Sequence, residues 1–457
     1  MRFSSSALVT SLVAVPVFGQ VCTPTWNTSA GTPGTTTGYV GAFTKYQDSL
    51  VATGSFTEMA GAAGTSYVAK YNTGANAWSS LSNGLTMGIG NAFGTSFAEY
   101  NGDLYVGGSY AYASSVPDTR AIARFDGTSF HSLGTGWGPD TVNAVWSMYA
   151  TNAIGGQNRL YFAGTFDTVA GQPAGSVAMW DGTSITPIAT SMTITGINPY
   201  VPAMTVFNDG QGGGDQLYIG GRFTTVNGVT APMVARWNGT AWSAVGTNLT
   251  PRNAAADIDC FLAYNDGTGL ALYAGGTNMR VNADGINRNV VKWNGLTWSA
   301  VGQHTSGRTW SLAAFNDGNG TKLYGGGTLP ASGYLYRMDT PNTWTTIGAG
   351  GNASVFNLFV DGDTLWIGGS FGTMDGQTSN RIIAYTACSN ITCDSIDFNA
   401  DGLYPDTSDI DDFLSVFSGG PCSTGTCHDI DFNNDGLFPD TLDIDSLLNV
   451  FSGGQCL

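Results

Sequence analysis

Oxygen-bearing side chains alternate along a short segment near the C-terminus of this chain. Asp397, Asn399 and Asp401 are separated from one another by one residue each. A tightly curled loop can direct three such oxygens inward, and Gly402 permits the sharp bend. Oxygen atoms are the preferred ligands of hard cations, so the spacing predicts a calcium site. The expected ligands are Asp397, Asn399, Asp401, the backbone carbonyl of Leu403, and Asp409 at the first turn of a following helix.

The same pattern returns 34 residues later and predicts a second calcium ion. Its ligands would be Asp431, Asn433, Asp435, the backbone carbonyl of Leu437, and Asp443. Each copy also has an aspartate three residues before the last ligand, so either Asp406 and Asp440 or Asp409 and Asp443 complete the two shells. An aspartate-rich turn without metal is the alternative interpretation, which the duplication disfavours.

Cysteines and charge set this C-terminal segment apart. The cysteines frame the two copies at equal intervals, which predicts the disulfides Cys393–Cys422 and Cys427–Cys456. Residues 388–457 contain 13 Asp and no Lys or Arg, so they carry most of the net charge of −17. An acidic chain of this kind excludes nucleic acid as a partner.

The start of the chain predicts export. Arg2 precedes a short apolar run in residues 7–17, as in a secretory signal peptide covering residues 1–19. The run is too short to span a bilayer, and no later stretch is apolar enough to do so. We therefore expect a secreted protein, extracellular or associated with the cell surface, without a transmembrane segment. Residues 20–388 and 389–457 are the two domains expected in the mature chain.

An apolar segment that ends in glycine recurs seven times in residues 20–388. The copies begin at Leu50, Leu104, Leu160, Leu217, Leu272, Leu323 and Leu365. Their spacing suits the four-stranded blade of a propeller better than a solenoid coil. Asp-Gly and Asn-Gly pairs at matching offsets predict tight hairpins. The expected fold class is all-β, a seven-bladed β-propeller followed by a small α-helical, EF-hand-like C-terminal domain.

The two ends of the predicted propeller complement each other. The seventh repeat stops at Cys388 without the Trp-containing outer strand found in other repeats. The segment from Cys22 to Trp26 resembles that strand, so we expect the N-terminal strand to close the last blade. This closure predicts a Cys22–Cys388 disulfide and leaves Cys260 as a free thiol in the core.

These motifs resemble two known families. The repeats of residues 20–388 are similar to kelch repeats, in which a Gly-Gly doublet follows a hydrophobic strand and an aromatic residue and a Trp come later. The C-terminal doublet resembles a dockerin, in particular the cysteine-flanked GC type, although its last acidic ligand lies at the thirteenth rather than the twelfth loop position. The dockerin resemblance implies two halves, each a calcium loop and a helix, that dock onto a cohesin-like or cell-surface protein.

Catalytic residues cannot be assigned in the predicted propeller. The only histidines are His131, His304 and His428, which lie in different repeats or in the tail. Arg and aromatic residues on the connecting loops form a candidate face for a carbohydrate or peptide ligand, with ordinary ion pairs between blades as the alternative. The candidate residues are Arg120, Arg252, Arg280, Arg288, Arg308 and Trp310.

The sequence supports two functional hypotheses. The first is a non-catalytic binding or structural propeller, attached to an extracellular assembly or cell surface through its calcium-dependent dockerin-like domain. The second is a secreted polysaccharide-active enzyme, a hydrolase or a kelch-type oxidase, carried by a dockerin. An evident acid–base pair is missing from the sequence, and this favours the first hypothesis.

Overall fold

The computed structural model describes residues 23–86, 92–134, 144–302, 307–329, 333–340, 343–388, 394–402, 406–425, 427–428, 430, 432 and 441–452. The described residues form mostly short β-strands, with two α-helices near the C-terminus. The predicted all-β class is therefore confirmed. Two compact units are present: Pro24–Ala387 forms one, and the residues from Cys388 onward belong to the other.

The strands of the larger unit are arranged in small antiparallel sheets that follow one another along the chain. The first strand is β1 (Thr25–Asn27). Sheet 1 contains β2 (Val40–Tyr46), β3 (Ser49–Gly54), β4 (Val68–Asn72) and β5 (Ala77–Ser80). After β6 (Leu85–Thr86), sheet 2 contains β7 (Phe93–Tyr100) and β8 (Asp103–Ser109) and, beyond β9 (Tyr112–Ala113), β10 (Ile122–Phe125) and β11 (Phe130–His131).

Sheets 3 and 4 repeat this order and add short hairpins. Sheet 3 contains β12 (Ala144–Thr151) and β13 (Arg159–Thr165) and, beyond the hairpin of β14 (Thr168–Val169) and β15 (Gln172–Pro173), β16 (Val177–Trp180) and β17 (Ile185–Pro187). After β18 (Met192–Thr193), sheet 4 contains β19 (Tyr200–Phe207) and β20 (Gln216–Arg222) and, beyond the hairpin of β21 (Thr225–Val226) and β22 (Val229–Thr230), β23 (Val234–Trp237) and β24 (Trp242–Ala244).

The last three sheets complete the series. Sheet 5 contains β25 (Leu249–Pro251), β26 (Asp257–Asn265), β27 (Leu270–Val281), β28 (Arg288–Trp293) and β29 (Trp298–Ala300). Sheet 6 contains β30 (Thr309–Asn316), β31 (Thr321–Leu329), β32 (Gly333–Thr340) and β33 (Thr343–Thr346). Sheet 7 contains β34 (Val355–Asp361), β35 (Thr364–Gly369) and, beyond the hairpin of β36 (Thr373–Met374) and β37 (Gln377–Thr378), β38 (Ile382–Thr386).

The N-terminal strand supplies the fourth strand of sheet 7. β1 pairs antiparallel with β38, with Trp26 opposite Tyr385, and the two rings lie 4.6 Å apart. Cys388, directly after this sheet, is disulfide-bonded, and its predicted partner Cys22 lies outside the described residues.

The hairpins between third and fourth strands have the geometry that their sequence predicts. Gly127 and Gly239 have φ angles of 98° and 99°, which glycine adopts without steric cost. In the first of these turns, the carboxylate of Asp126 accepts hydrogen bonds from the backbone N–H groups of Thr128 and Ser129, both at 2.9 Å. An Asp or Asn side chain before glycine thus stabilises each turn locally.

The apolar core lies between neighbouring sheets. The first strands of the seven sheets contact one another in sequence order, and β34 of sheet 7 also contacts β2 of sheet 1. A buried apolar cluster fills each of the interfaces, including the one between sheets 7 and 1, where Trp366 and Ile382 pack with Val40 and Phe43. Seven small sheets in cyclic contact are compatible with a propeller-like fold.

The smaller unit contains α1 (Thr407–Phe417) and α2 (Thr441–Phe451). Its core consists of the buried side chains Ile396, Phe398, Phe413, Phe432 and Leu447. The first repeat meets the second through backbone hydrogen bonds: the Asp394 N–H donates to the Phe432 carbonyl at 2.8 Å, and the His428 N–H donates to the Phe398 carbonyl at 3.0 Å. In the described part of the chain, neither helix is long and apolar enough to cross a membrane.

The two disulfide bonds predicted within the C-terminal repeats are wrong. Cys422 is bonded to Cys427, with their Cα atoms 5.8 Å apart, and not to Cys393 as predicted. Cys427 is likewise not bonded to Cys456. Only four residues separate the two bonded cysteines, in the connection between the two repeats, so local geometry brings them together. The equal cysteine spacing in the two repeats favours pairing within each repeat. It gives no signal of a bond across the short connection between the repeats.

Candidate functional site

A β-bulge occurs at the same place in each of the seven sheets of the larger unit. The register between the first and second strands shifts where an extra residue is inserted into the first strand. A bulge leaves the extra residue unpaired and re-aims its side chain. The inserted residues are Gly41, Thr95, Trp146, Pro202 (with Val201), Asp259, Trp310 and Phe356.

These seven inserted residues line one cavity, here called the axial cavity. Its volume is about 530 Å³, and residues of the first strands of all seven sheets form its wall. Ser147, Ser311 and Asn357 follow bulges and hydrogen-bond to the first strand of the next sheet. For example, the Asn357 side-chain oxygen accepts from the Phe43 N–H at 3.2 Å. The bulges therefore shape the cavity and also help to join neighbouring sheets.

An aromatic collar lies along two parts of the axial cavity. It consists of the wall residues Tyr39, Trp146, Tyr200, Trp310 and Phe356 and of Phe93, whose ring lies 5.2 Å from that of Trp146. The rings of Tyr39 and Phe356 are 5.0 Å apart, and those of Trp310 and Phe356 are 5.7 Å apart. On the other side, Trp146 lies 5.1 Å from Tyr200. Most of these pairs meet edge to face, the arrangement that the ring quadrupoles favour.

A charged cluster occupies the gap that the collar leaves at sheet 5; it consists of Arg222, Asp257, Asp259 and Arg308. The Arg308 guanidinium donates to the Asp259 carboxylate at 2.6 Å and to the Asp257 carboxylate at 3.0 Å. Arg222 donates to the same oxygen of Asp257 at 2.8 Å. The Asp257 side chain is fully buried and that of Asp259 nearly so. Two carboxylates and two guanidinium groups give this cluster no net formal charge.

Burial dominates the protonation chemistry of the cluster. It raises the pKa of Asp259 to about 7, and the neighbouring Asp257 carboxylate adds to the rise, because both disfavour a second negative charge. Burial alone would lower the pKa of Arg308, but hydrogen bonds and attraction from Asp259 raise it above its ordinary value. Arg308 therefore stays charged, and its Cζ atom lies 3.8 Å from the centre of the Trp310 ring.

Only part of the ligand face predicted from the sequence lies at this cavity. Trp310 lines it, and Arg308 belongs to the charged cluster. Arg280 and Arg288 lie instead on the extended end of sheet 5, where Arg288 pairs with Asp284 at 2.8 Å. Arg252 is exposed directly after β25, and Arg120 lies just before β10.

Most of the collar and the buried acid Asp259 were not predicted from the sequence. The only signal in the sequence would have been a break in the alternation of apolar and polar residues along each first strand. A bulge shifts that pattern by one residue, and this cannot be separated from ordinary strand variation in single repeats. Cys260, predicted as core, lines the cavity, and burial raises the pKa of its thiol.

The acidic loop of the smaller unit is a second candidate site. The Asp397 carboxylate accepts hydrogen bonds from the backbone N–H groups of Asp401 and Gly402, both at 3.0 Å, and Gly402 has a φ of 80°. The side-chain oxygen of Asn399 accepts from the Asp401 N–H at 3.1 Å. The loop thus curls around its own oxygen-bearing side chains.

Two aspartates at the start of α1 have different positions. Asp406 is the N-cap of the helix, and its side chain accepts from the Ser408 N–H at 2.7 Å. Asp409 is fully buried and faces back to the loop, where its carboxylate accepts from the N–H groups of Asn399 and Asp406. The two aspartates form a capping box, in which Asp406 caps the helix and the Asp409 carboxylate accepts from the Asp406 N–H.

The second loop is only partly described. Asp431, Asn433, Asp435, Leu437 and Asp440 lie outside the described residues, as do Leu403, Cys22, Cys393, Cys456 and His304. Asp443 is fully buried at the first turn of α2, as Asp409 is in α1. Among the described residues, no group of three or more His, Cys, Asp or Glu side chains is arranged to hold a metal ion.

The Asn-Asp-Gly turns of sheets 4 to 6 have a structural role. Each aspartate accepts hydrogen bonds from a tyrosine on the second strand and from a cationic side chain on the third. The three groups are Asp209 with Tyr218 and Arg236, Asp266 with Tyr273 and Lys292, and Asp317 with Tyr324 and Arg337. These carboxylates are therefore paired within their own sheets.

Comparison with known proteins assigns no family. No family model matches the chain, and no curated protein matches it. A computationally designed protein, Ika8, is similar in structure, with a TM-score of 0.41 and 10% identity, over 77% of this chain and 94% of that chain. Raptor from Chaetomium thermophilum is similar with a TM-score of 0.36 and 12% identity, over 67% of this chain and 28% of that chain. The present chain thus spans less than a third of the length of Raptor.

Proposed function

We propose that this protein is a secreted, non-catalytic binding protein, in which a seven-bladed, kelch-like propeller binds a ligand and a dockerin-like tail attaches it to an extracellular assembly or cell surface. The axial cavity carries the binding proposal. Its wall combines aromatic rings with Asp259 of the charged cluster, and ligand sites commonly pair apolar walls with a few polar groups. Its volume of about 530 Å³ lies in their usual range of about 300–1,000 Å³.

The cyclic contacts of the seven sheets support the propeller. β1 pairing with β38 would close its last blade, and each interface between sheets has its own apolar cluster. In a ring of this kind, the first strand of every blade faces one central axis. The ligand site is therefore proposed at the axial cavity, in place of the wider loop face predicted from the sequence.

The first acidic loop of the smaller unit supports calcium binding. The side chains of Asp397 and Asn399 are gathered within one tight turn, and the buried carboxylate of Asp409 faces that turn. Of the two alternatives left open by the sequence, Asp409 is the better ligand because Asp406 caps the helix. By analogy, Asp443 would have this role in the second loop. Calcium would neutralise part of the tail's acidic charge and so couple ion binding to folding.

Equivalent surface leucines support docking of the tail. Leu414 on α1 and Leu448 on α2 have exposed fractions of 44% and 46%, whereas Phe413 and Leu447 beside them are buried. An exposed leucine at the same place in both repeats suits contact with a cohesin-like or cell-surface protein.

A secreted polysaccharide-active enzyme is the second candidate function. The observation in its favour is the pair Asp257 and Asp259 beside an aromatic-lined cavity, with the pKa of Asp259 raised to about 7 as in a general acid. Against it, the Arg308 guanidinium binds both carboxylates and holds them together. A glycosidase needs its two carboxyl groups on either side of the bond that it cleaves, so these two do not suit that role.

One experiment separates the two functions. The purified protein is incubated with immobilised polysaccharides in calcium buffer, and both its retention and the release of reducing sugars are measured. We expect retention without product. Release of sugars that is lost in Asp259→Asn would instead establish the enzyme. For the tail, a reporter fused to residues 389–457 should be retained on the producing cells only with calcium, and the propeller alone should not be.

A further inference from the structure

We propose that the axial cavity binds the neutral sugar units of a polysaccharide, with sugar C–H groups against the aromatic collar and hydroxyl groups toward Asp259 and Arg308. This inference rests on the proposed binding function and names its ligand class. It depends on three features of the cavity: its rings, its balance of charge, and its polar groups.

The rings supply extended apolar surface without closing the cavity. Trp146, Trp310 and Phe356 are inserted at bulges, so their side chains project to the cavity rather than into the interfaces between sheets. Trp146 and Trp310 are both partly exposed. The faces of aromatic rings carry partial negative charge and attract the polarised C–H groups of a sugar ring.

The balance of charge selects against ionic ligands. Above about pH 7, where Asp259 is ionised, the two carboxylates of the charged cluster are matched by two guanidinium groups at hydrogen-bond distance. A carboxylated or amino sugar would add an unpaired charge beside this desolvated cluster, which is costly. The cation–π position over Trp310 is also occupied, because the Arg308 guanidinium lies there at 3.8 Å. A neutral ligand avoids both penalties.

The polar groups suit hydroxyls, which donate and accept hydrogen bonds. Asp259 in the wall offers acceptor oxygens, and the Arg308 fork beside it offers donors. A hydroxyl-rich ligand can satisfy groups of both kinds, whereas a purely apolar ligand cannot.

The test compares polymers of different charge. The full-length protein is run at about pH 8 in native gels that contain a neutral β-glucan or mannan, anionic pectate, or permanently cationic quaternised chitosan. The affinity for oligosaccharides of the retarding polymer is measured by calorimetry. We expect retardation by a neutral polymer. Trp146→Ala and Asp259→Asn should each weaken binding about tenfold, a change typical of losing one good contact.

Two further variants control for folding and location. Thr95→Trp places a large side chain at another bulge and should block binding by filling the cavity. Tyr112→Ala removes an aromatic ring that is 49% exposed on β9, outside the cavity wall, and should leave the affinity unchanged. Near-ultraviolet circular dichroism identifies any variant that is misfolded.

The outcomes distinguish this inference from the proposed function. Retardation by pectate or chitosan alone, lost in Thr95→Trp, would overturn the neutral-sugar inference and leave the binding function standing. Neutral-polymer binding that the folded variants do not change would show that the axial cavity is not the site. No retention by any polymer, for wild type and variants alike, would overturn the sugar inference and remove the support for a polysaccharide-binding propeller.

Discussion

Replacing Asp259 by Asn should change the pH dependence of stability in the larger unit. Burial raises the pKa of Asp259 to about 7 in the folded protein, against about 3.9 for an aspartate in an unfolded chain. Between these values the folded state holds a proton that the unfolded state has released. The free energy of unfolding therefore decreases as pH rises through this range, and the loss is complete above about pH 7.

The size of the effect follows from the shift. About three pH units, at about 1.4 kcal/mol per unit, give a loss of about 4 kcal/mol between pH 4 and pH 7. Asn cannot titrate, so Asp259→Asn lacks this loss. It should gain stability relative to wild type as pH rises from 4 to 7 and show no further relative change above that.

Urea unfolding at several pH values, followed by Trp fluorescence at constant calcium, measures this difference. Asp181→Asn is the matched control: hydrogen bonds from Ser184 and Thr183 lower the pKa of Asp181, so its stabilisation is present above the unfolded pKa and is lost only in acid. Its difference from wild type should stay constant from pH 5 to pH 8. A constant difference for Asp259→Asn over the same range would refute the reasoning.

Three other predictions concern calcium binding by the tail, the disulfide bond of the tail, and the ion pair between Arg236 and Asp209. Chelating calcium should remove the helical signal of the tail, and Asp397→Ala should lower the number of bound ions from two to one by equilibrium dialysis. Non-reducing peptide mapping should recover Cys422 linked to Cys427; peptides that instead link either residue to Cys393 or Cys456 would contradict the structure. Arg236→Met should destabilise the larger unit by about 3 kcal/mol, because it leaves the buried Asp209 carboxylate without its cationic partner. Arg252 is exposed, so Arg252→Met should have little effect on thermal unfolding.

The sequence predicts strands and turns well where the information is local. Asp-Gly and Asn-Gly pairs place the tight hairpins because glycine readily adopts the positive φ that these turns need, as at Gly127 and Gly239. The seven glycine-terminated segments all belong to strands or strand ends: the copy at Leu217, for example, lies in β20. The Asp alternation before Gly402 likewise predicts a curled loop, and the hydrogen bonds to Asp397 have that form.

The candidate site could not be predicted in the same way. It is built where single inserted residues from seven separate repeats meet, and no local pattern marks a bulge such as that at Trp146. The partners of Asp257 come from the ends of two other sheets, at Arg222 and Arg308, so their pairing depends on tertiary contacts. The choice of Asp409 over Asp406 depends on helix capping, which the spacing of acids leaves open.

A crystal structure of the full chain grown with a neutral oligosaccharide tests the central claim most directly. We expect sugar density in the axial cavity, with one ring against Trp146 or Trp310 and hydroxyl groups within hydrogen-bond distance of Asp259 or Arg308. Sugar density on the extended end of sheet 5, near Arg252 and Arg280, with an empty axial cavity would contradict it.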